Sequence, residues 1–297
     1  MKVLRHITLL WLGFFALQCH ADTLLVVVPA QSALTEEFVF ALERARTDDE
    51  VVVHSLEDPA APEVKPQLII TMGVASLEWR LRSTDKTPTL ATYVSRSGLG
   101  SAELDAAAIP SHIRFLLSDP KPVRQLRLAR LLMPRLRTAS LLYSPALSDQ
   151  LTHWQSAAEA AEIKLNTAEL GDITDLARTL VSLLDRSDVL IGTDDPRIYN
   201  ADNLKTILLT SYTRNRVLIG PSAPFIAAGS LSTTFSSPAE MALSVNYLLD
   251  SRGMTLVTSY PRFFSVLSNQ QVARSMGFAP PDDAELAAEL ARMEGIE

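Results

Sequence analysis

"DVLIGTDDPRIYNADN", residues 188–203, breaks an apolar run with two adjacent carboxylates and resumes with helix-capping residues. Val189, Leu190 and Ile191 are continuously apolar, the pattern of a strand buried on both faces of a parallel sheet. Asn200 to Asp202 supply a cap and an acidic first turn, so a helix is predicted from near Ala201. Asp194 and Asp195 then fall at a strand's carboxyl end, the edge where open α/β sheets bind ligands. The pair could act as catalytic acid and base, as metal ligands, or as hydrogen-bond acceptors for a captured solute.

The same strand-turn-helix unit recurs outward in both directions. Upstream, "TLLVVVP" reads as a strand and "SALTEEFVFALERARTD" as a helix capped by Ser32, with Leu34, Phe38, Leu42 and Ala45 on one face. Strands "EVVVHSLE", "QLIITMG" and "TPTLATYVS" follow, with a short helix over "ASLEWRLRS". A second series begins with helix "PVRQLRLARLLM", where Pro122 takes a tolerated first-turn position and Pro134 stops the helix. It continues through "TASLLYSP", "SDQLTHWQSAAEAAEI", "KLNTAEL", "DITDLARTLVSLLDRS", the opening stretch, "NADNLKTILLTSYTRN" and "RVLIGPS". Short connections make both sheets parallel. Residues 97–121 read as irregular and as holding the first passage between lobes. Near the end, "SLSTTFS" reads as a strand or extended return, "PAEMALSVNYLLDSRG" as a helix, "FFSVLS" as a strand and "PPDDAELAAELARMEGIE" as an acidic tail. The expected division is a first lobe of residues 22–117 plus 231–255 and a second of 118–230 plus 256–297, with a cleft gathering the carboxyl ends of both sheets.

The first residues, "MKVLRHITLLWLGFFALQCHA", have the layout of a secretory signal: Lys2 and Arg5, an apolar stretch from Ile7 to Leu17, and cleavage expected near Ala21. That stretch is too short to span a bilayer, and Gln18 stands where lipid attachment at Cys19 wants a small residue. A periplasmic protein without disulfides is expected, since Cys19 is the single cysteine. Net charge is −7, and more negative still without Lys2 and Arg5, which speaks against a nucleic-acid partner.

"LIITMGVAS" with "TPTLATYVS", the unit "PVRQLRLARLLMPRLRTASLLYSP", and the ending "FFSVLSNQQVARSMGFAPP" with Asn269, Ala273 and Gly277 resemble the solute-binding proteins of an ABC transporter group. That group includes the binding protein for tryptophan and related amino acids. The resemblance implies an α/β type I periplasmic-binding fold: two Rossmann-like lobes with parallel sheets joined by a hinge. A solute-binding protein for a small polar or amino-acid-like solute is expected, with a membrane permease as partner (or a membrane sensor in its place), without a cofactor and as a monomer; an exported α/β enzyme is the lesser alternative, since the sequence offers no catalytic constellation. "SRSGLGSAELDAAAIPSHIRFLL" and the glycine-free "PAEMALSVNYLL" depart from the group's pattern near ligand or hinge positions, so solute identity does not carry over.

The site residues expected from strand ends are Gln31 after the first strand, Thr71 and Gly73 after the third, Tyr93 and Tyr143 as rings over a planar solute, Ser144, Thr193, Asp194, Asp195 and Ser222. "GPSAP" around Ser222 superficially resembles a nucleophile elbow, but Pro224 replaces the final glycine and no histidine follows. His54, His112 and His153 show no metal-ligand spacing. "SGLGS" lacks the third glycine of a phosphate loop, with Glu103 in its place. Arg124, Arg127 and Arg130 read as a solvated helix face, with permease docking as the functional alternative.

Overall fold

The apolar runs pair into two six-stranded sheets. In this computed structural model residues 22–60, 62–101, 109–251 and 254–296 are described; the expected signal segment and Cys19 lie outside them. The first sheet joins β1 (Thr23–Val28), β2 (Glu50–Ser55), β3 (Leu68–Met72), β4 (Thr89–Val94), β5 (Ile113–Leu117) and β11 (Thr258–Ser259) in the order β11-β5-β4-β3-β1-β2, all parallel. The second joins β6 (Thr138–Tyr143), β7 (Lys164–Glu169), β8 (Val189–Ile191), β9 (Val217–Ile219), β10 (Ser232–Phe235) and β12 (Ser265–Ser268) in the order β12-β10-β9-β8-β6-β7. Only the β10–β12 pair is antiparallel.

Continuous apolar strands need a covering layer on each face, and the helices provide it. α1 (Ala33–Ala45) and α9 (Pro238–Asp250) bring Phe38, Leu42, Met241 and Val245 against Leu24, Val26 and Ile70 of the first sheet. α2 (Gly73–Leu81) sets Leu77 against Ala91, Ile113 and Phe115. In the second lobe, side chains alternate along each strand as the pleat demands. Leu141, Val189, Ile191, Val217 and Ile219 face Leu126, Leu128 and Trp154 of α4 (Pro122–Leu132) and α5 (Leu151–Ala160). Leu142, Leu190 and Leu218 face Leu180, Leu183 and Ile207 of α6 (Leu176–Leu184) and α7 (Ala201–Thr213). α7 begins where the sequence places it, with Asn200 accepting from the Asp202 and Asn203 backbone.

Four sequence expectations need correction. First, the lobe division differs in its second half. Ser232–Phe235 belongs to the second sheet, paired with Ile219 and the 265–268 strand, and Thr258–Ser259 belongs to the first, beside Phe115 and Leu116. Only α9, packed on α1, keeps that region in the first lobe. The chain therefore crosses at 118–121, 236–237 and 260–264. Second, the irregular stretch 97–121 contains β5 and, at its start, α3 (Arg96–Ser101); β5 is only five residues long and follows a turn at Pro110, whose carbonyl accepts from the Ile113 backbone.

Third, the acidic tail is a helix, α11 (Asp283–Met293), capped by Asp282 and anchored by fully buried Leu290. Fourth, Arg124 is not on a solvated face. It is 3% exposed, pairs with Glu294 through Nε (2.8 Å) and Nη2 (2.9 Å), donates to the Pro261 carbonyl and covers the Phe264 ring at 3.6 Å. Lys121 Nζ joins the same carboxylate at 2.9 Å. One glutamate at the end of α11 thus ties together the first and third crossings. A smaller difference concerns α1, where Leu34 is exposed and Thr35 is buried instead, because its hydroxyl closes a reciprocal cap with Ser32.

Candidate interlobe ligand site

Strand β8 ends at Gly192, and the chain turns immediately into Thr193-Asp194-Asp195. The two carboxylates take different roles. Asp195 is 2% exposed and accepts from the Ser144 backbone at 2.7 Å and the Arg197 backbone at 3.1 Å, which fixes the turn before α7 against the end of β6. Asp194 is exposed, and its carboxylate accepts a hydrogen bond from the Ser97 hydroxyl of α3 in the other lobe.

Around this contact lies a narrow interlobe cleft, with a cavity volume of about 20 Å³ in this closed arrangement, bordered from the first lobe and crossings by Arg96, Asp119, Pro120 and Tyr260, and from the second lobe by Gln150, His153, Trp154, Gly192, Thr193, Asp194 and Pro221. Asp119 accepts from the Arg96 backbone N–H through both carboxylate oxygens, at 3.0 and 3.3 Å. The Arg96 guanidinium points elsewhere: Nε donates to the Tyr260 hydroxyl at 3.1 Å and the group lies 5.7 Å from that ring's centre. Gln125, at the floor, is spent internally. Its amide holds the Gly220 carbonyl and Thr233 hydroxyl and accepts from the Thr234 backbone, locking β10 to β9.

The electrostatics follow from crowding by protein. Burial, with the nearby Asp194 charge adding to it and the Arg96 backbone bond opposing, pushes the Asp119 carboxyl up to about 7. Burial, and then the Arg96 charge, hold His153 below its ordinary value, so its ring is neutral near pH 7. Burial raises the Tyr260 phenol. Thr193, 5% exposed, has a hydroxyl with no hydrogen-bond partner at the edge of this space.

Of the residues expected from strand ends, Thr193 and Asp194 border the space. Ser222 follows Pro221 and starts a turn through its carbonyl, which accepts from Phe225. Ser144 and Tyr143 border separate hollows of the second lobe, Ser144 beside Asp172 and Arg197, Tyr143 beside Leu147 and Trp154. In the first lobe, Tyr93 turns inward at φ 54° and packs edge-on to Phe38, 5.9 Å between centroids. Thr71 is fully buried within the sheet, its carbonyl accepting from Thr92. Gly73 opens α2 at φ 80°, and Gln31 is exposed after β1. The inward turn at Tyr93 removes the ring expected over a solute. The residues that sequence reading missed are Arg96, Asp119, Gln150, His153, Trp154 and Tyr260. One signal was available: "SDPKP" puts Asp119 in an Asp-Pro turn after an apolar run and before a helix.

Among the described residues no group of three His, Cys, Asp or Glu side chains could hold a metal ion, and no helix is long and apolar enough to cross a membrane.

No family model and no curated protein matches the chain. Solved structures do match it. The ligand-free, open form of a substrate binding protein with adhesive properties from Clostridium difficile is similar over 88% of this chain and 97% of its own, with TM-score 0.66 and 14% identity. A conserved domain protein from Vibrio cholerae covers 90% and 98% with TM-score 0.52 and 13% identity. An ABC domain in complex with L-Trp from Streptococcus pneumonia covers 88% and 96% with TM-score 0.51 and 11% identity. These likenesses define the class of fold: two α/β lobes of the type I periplasmic-binding-protein kind.

Proposed function

We propose that the chain is an extracytoplasmic solute-binding protein, capturing a small polar or amino-acid-like molecule between its lobes for a membrane partner, an ABC permease in the first instance. The observation that carries this reading is the position of the polar cleft, which collects Asp119 and Arg96 from the first lobe's strand ends and Thr193 and Asp194 from the second's. Contacts to both lobes can exist together only when the cleft is shut, so a solute that makes them selects the closed state. The closed state in turn presents a composite surface to the partner. Micromolar capture corresponds to about −8 kcal/mol, within reach of a few buried hydrogen bonds and one ring contact.

The test is a thermal-shift panel of amino acids, amines, sugars, purines and oligopeptides on the purified chain. Ligand at one hundred times its Kd stabilises by about 2.7 kcal/mol and should raise Tm by several degrees. A binder should also contract the solution scattering profile. A panel without any shift or contraction would overturn the reading, and so would turnover of a panel compound.

A further inference from the structure

We propose that the cleft is built for a solute carrying an ammonium group, which sits between Asp119 and Asp194 and takes the place of the Ser97 hydroxyl on the Asp194 carboxylate. This rests on the binding reading above and narrows its ligand class.

The argument starts from charge. Two carboxylates, one following β5 of the first sheet and one following β8 of the second, border a single space. Neither is in an ion pair among the described residues. Asp119 is held by a backbone N–H and Asp194 by a neutral hydroxyl. The cation bordering the space, Arg96, commits its Nε to Tyr260. A site so arranged lacks one positive charge. Burial, and after it the charge of Asp194, raise the Asp119 carboxyl against the opposing Arg96 backbone bond and charge, so a cation placed between the two carboxylates would relieve the repulsion between them.

Hydrogen-bonding capacity points the same way. Ser97 offers Asp194 one neutral donor, whereas an ammonium offers three donors and a full charge, and charge-assisted bonds are about twice as strong. A third acceptor is waiting, the buried, unpartnered hydroxyl of Thr193 at the border of the same space. An anion would meet two carboxylates, and a sugar would leave their charge uncompensated. Arg96 retains its terminal nitrogens for a carbonyl or carboxylate oxygen of the solute, so free amines and amino acids share the chemistry.

Capture should also move a proton. The titratable or charged groups facing Asp119 are Arg96 from α3, Asp194 from the loop after β8, Tyr260 from the third crossing and His153 from α5. Near neutral pH Asp119 is partly protonated before a solute arrives, and an arriving ammonium favours the ionised form. Binding should therefore release a fraction of a proton, read as a difference in heat between buffers of unequal ionisation enthalpy.

The experiment is isothermal calorimetry on the full chain at pH 7 with 2-phenylethylamine, L-phenylalanine, L-lysine, N-acetyl-L-phenylalanine, D-glucose and succinate. The expected result is binding by at least one of the primary amines, at least about tenfold weaker after N-acetylation or in Asp194→Asn. Asp119→Asn should abolish the buffer dependence, and Ser97→Ala should bind as tightly as wild type or more tightly. Asp194 is exposed, so Asp194→Asn carries the test if Asp119→Asn fails to fold. N-acetyl-L-phenylalanine binding as tightly as L-phenylalanine, full affinity in Asp194→Asn, or binding of glucose or succinate alone would overturn the ammonium assignment while leaving a binding protein. No binding by any of the six, together with a silent thermal panel, would overturn both.

Discussion

The Ser97 hydroxyl of the first lobe donates to the Asp194 carboxylate of the second, so the two lobes are bridged beside the cleft by the protein itself. A hydrogen bond to a charged acceptor near solvent contributes about 1 kcal/mol, which is roughly a fivefold bias toward the closed arrangement. In Ser97→Ala the ligand-free protein should populate open forms more, giving a larger radius of gyration by X-ray scattering and no loss of Tm beyond a degree or two. Superimposable wild-type and variant profiles would show that the bond does not set the opening equilibrium.

Glu294 should matter more to stability than any surface carboxylate. Its carboxylate is 6% exposed and takes donors from Arg124 and Lys121, while Arg124 also holds Pro261 of the third crossing. Removing one partner of a buried pair leaves the other charge uncompensated, at a cost of about 3 kcal/mol. Glu294→Gln should lower the urea midpoint accordingly, whereas Glu162→Gln, whose partner contact is solvent-exposed, should cost no more than about 0.5 kcal/mol. Equal midpoints for the two variants would refute the anchoring role of α11.

How far the sequence discloses this molecule depends on range. Val26, Ile70, Leu190 and Leu218 announce their strands because burial on both faces leaves a continuous apolar run, and Ser32 and Asn200 announce helices because capping is local. Of the carboxylate pair, Asp194 faces the cleft and Asp195 braces the turn, a split that depends on a backbone N–H 51 residues away at Ser144. The rest of the site comes from the crossings. Asp119 and Tyr260 lie in proline-bearing connections with no periodicity, and Arg96 meets Tyr260 across 164 residues of chain. The burial of Arg124 was equally hidden, because its partner Glu294 is 170 residues away.

Asp119 and Glu294 should bend the pH profile of stability in opposite directions. At Glu294, burial opposes ionisation but is outweighed by the bonds and charges of Arg124 and Lys121, so its folded value lies below the ordinary 4.5. Its contribution is present above that ordinary value and is lost as pH falls through the folded one. At Asp119 the folded value, about 7, lies above the ordinary 3.8. Between about pH 4 and pH 7 the folded protein keeps a proton that the unfolded chain has released, so stability declines as pH rises across that window. Urea midpoints should therefore drop from pH 5 to pH 8 in wild type by more than in Asp119→Asn. An unchanged drop in the variant would remove Asp119 as its source.

Gly192 supplies the close approach on which the cleft floor depends. A Cβ there would lie 2.7 Å from Pro221 Cδ, 3.1 Å from its nitrogen and 3.2 Å from the Ile219 carbonyl oxygen. Ring and backbone atoms cannot swing aside as a flexible side chain does, so Gly192→Ala must displace Pro221, Thr193 or both. The cost should be about 1–3 kcal/mol, read as a Tm lower by several degrees. Because Pro221, Thr193 and Asp194 all border the interlobe space, ligand affinity should fall along with stability. Gly171→Ala makes the contrast, since its added carbon would meet nothing within 4 Å and should leave Tm within a degree or two of wild type. A Gly192→Ala protein that melts and binds like wild type would mean that the strand end can yield, and with it the floor on which Asp194 is placed.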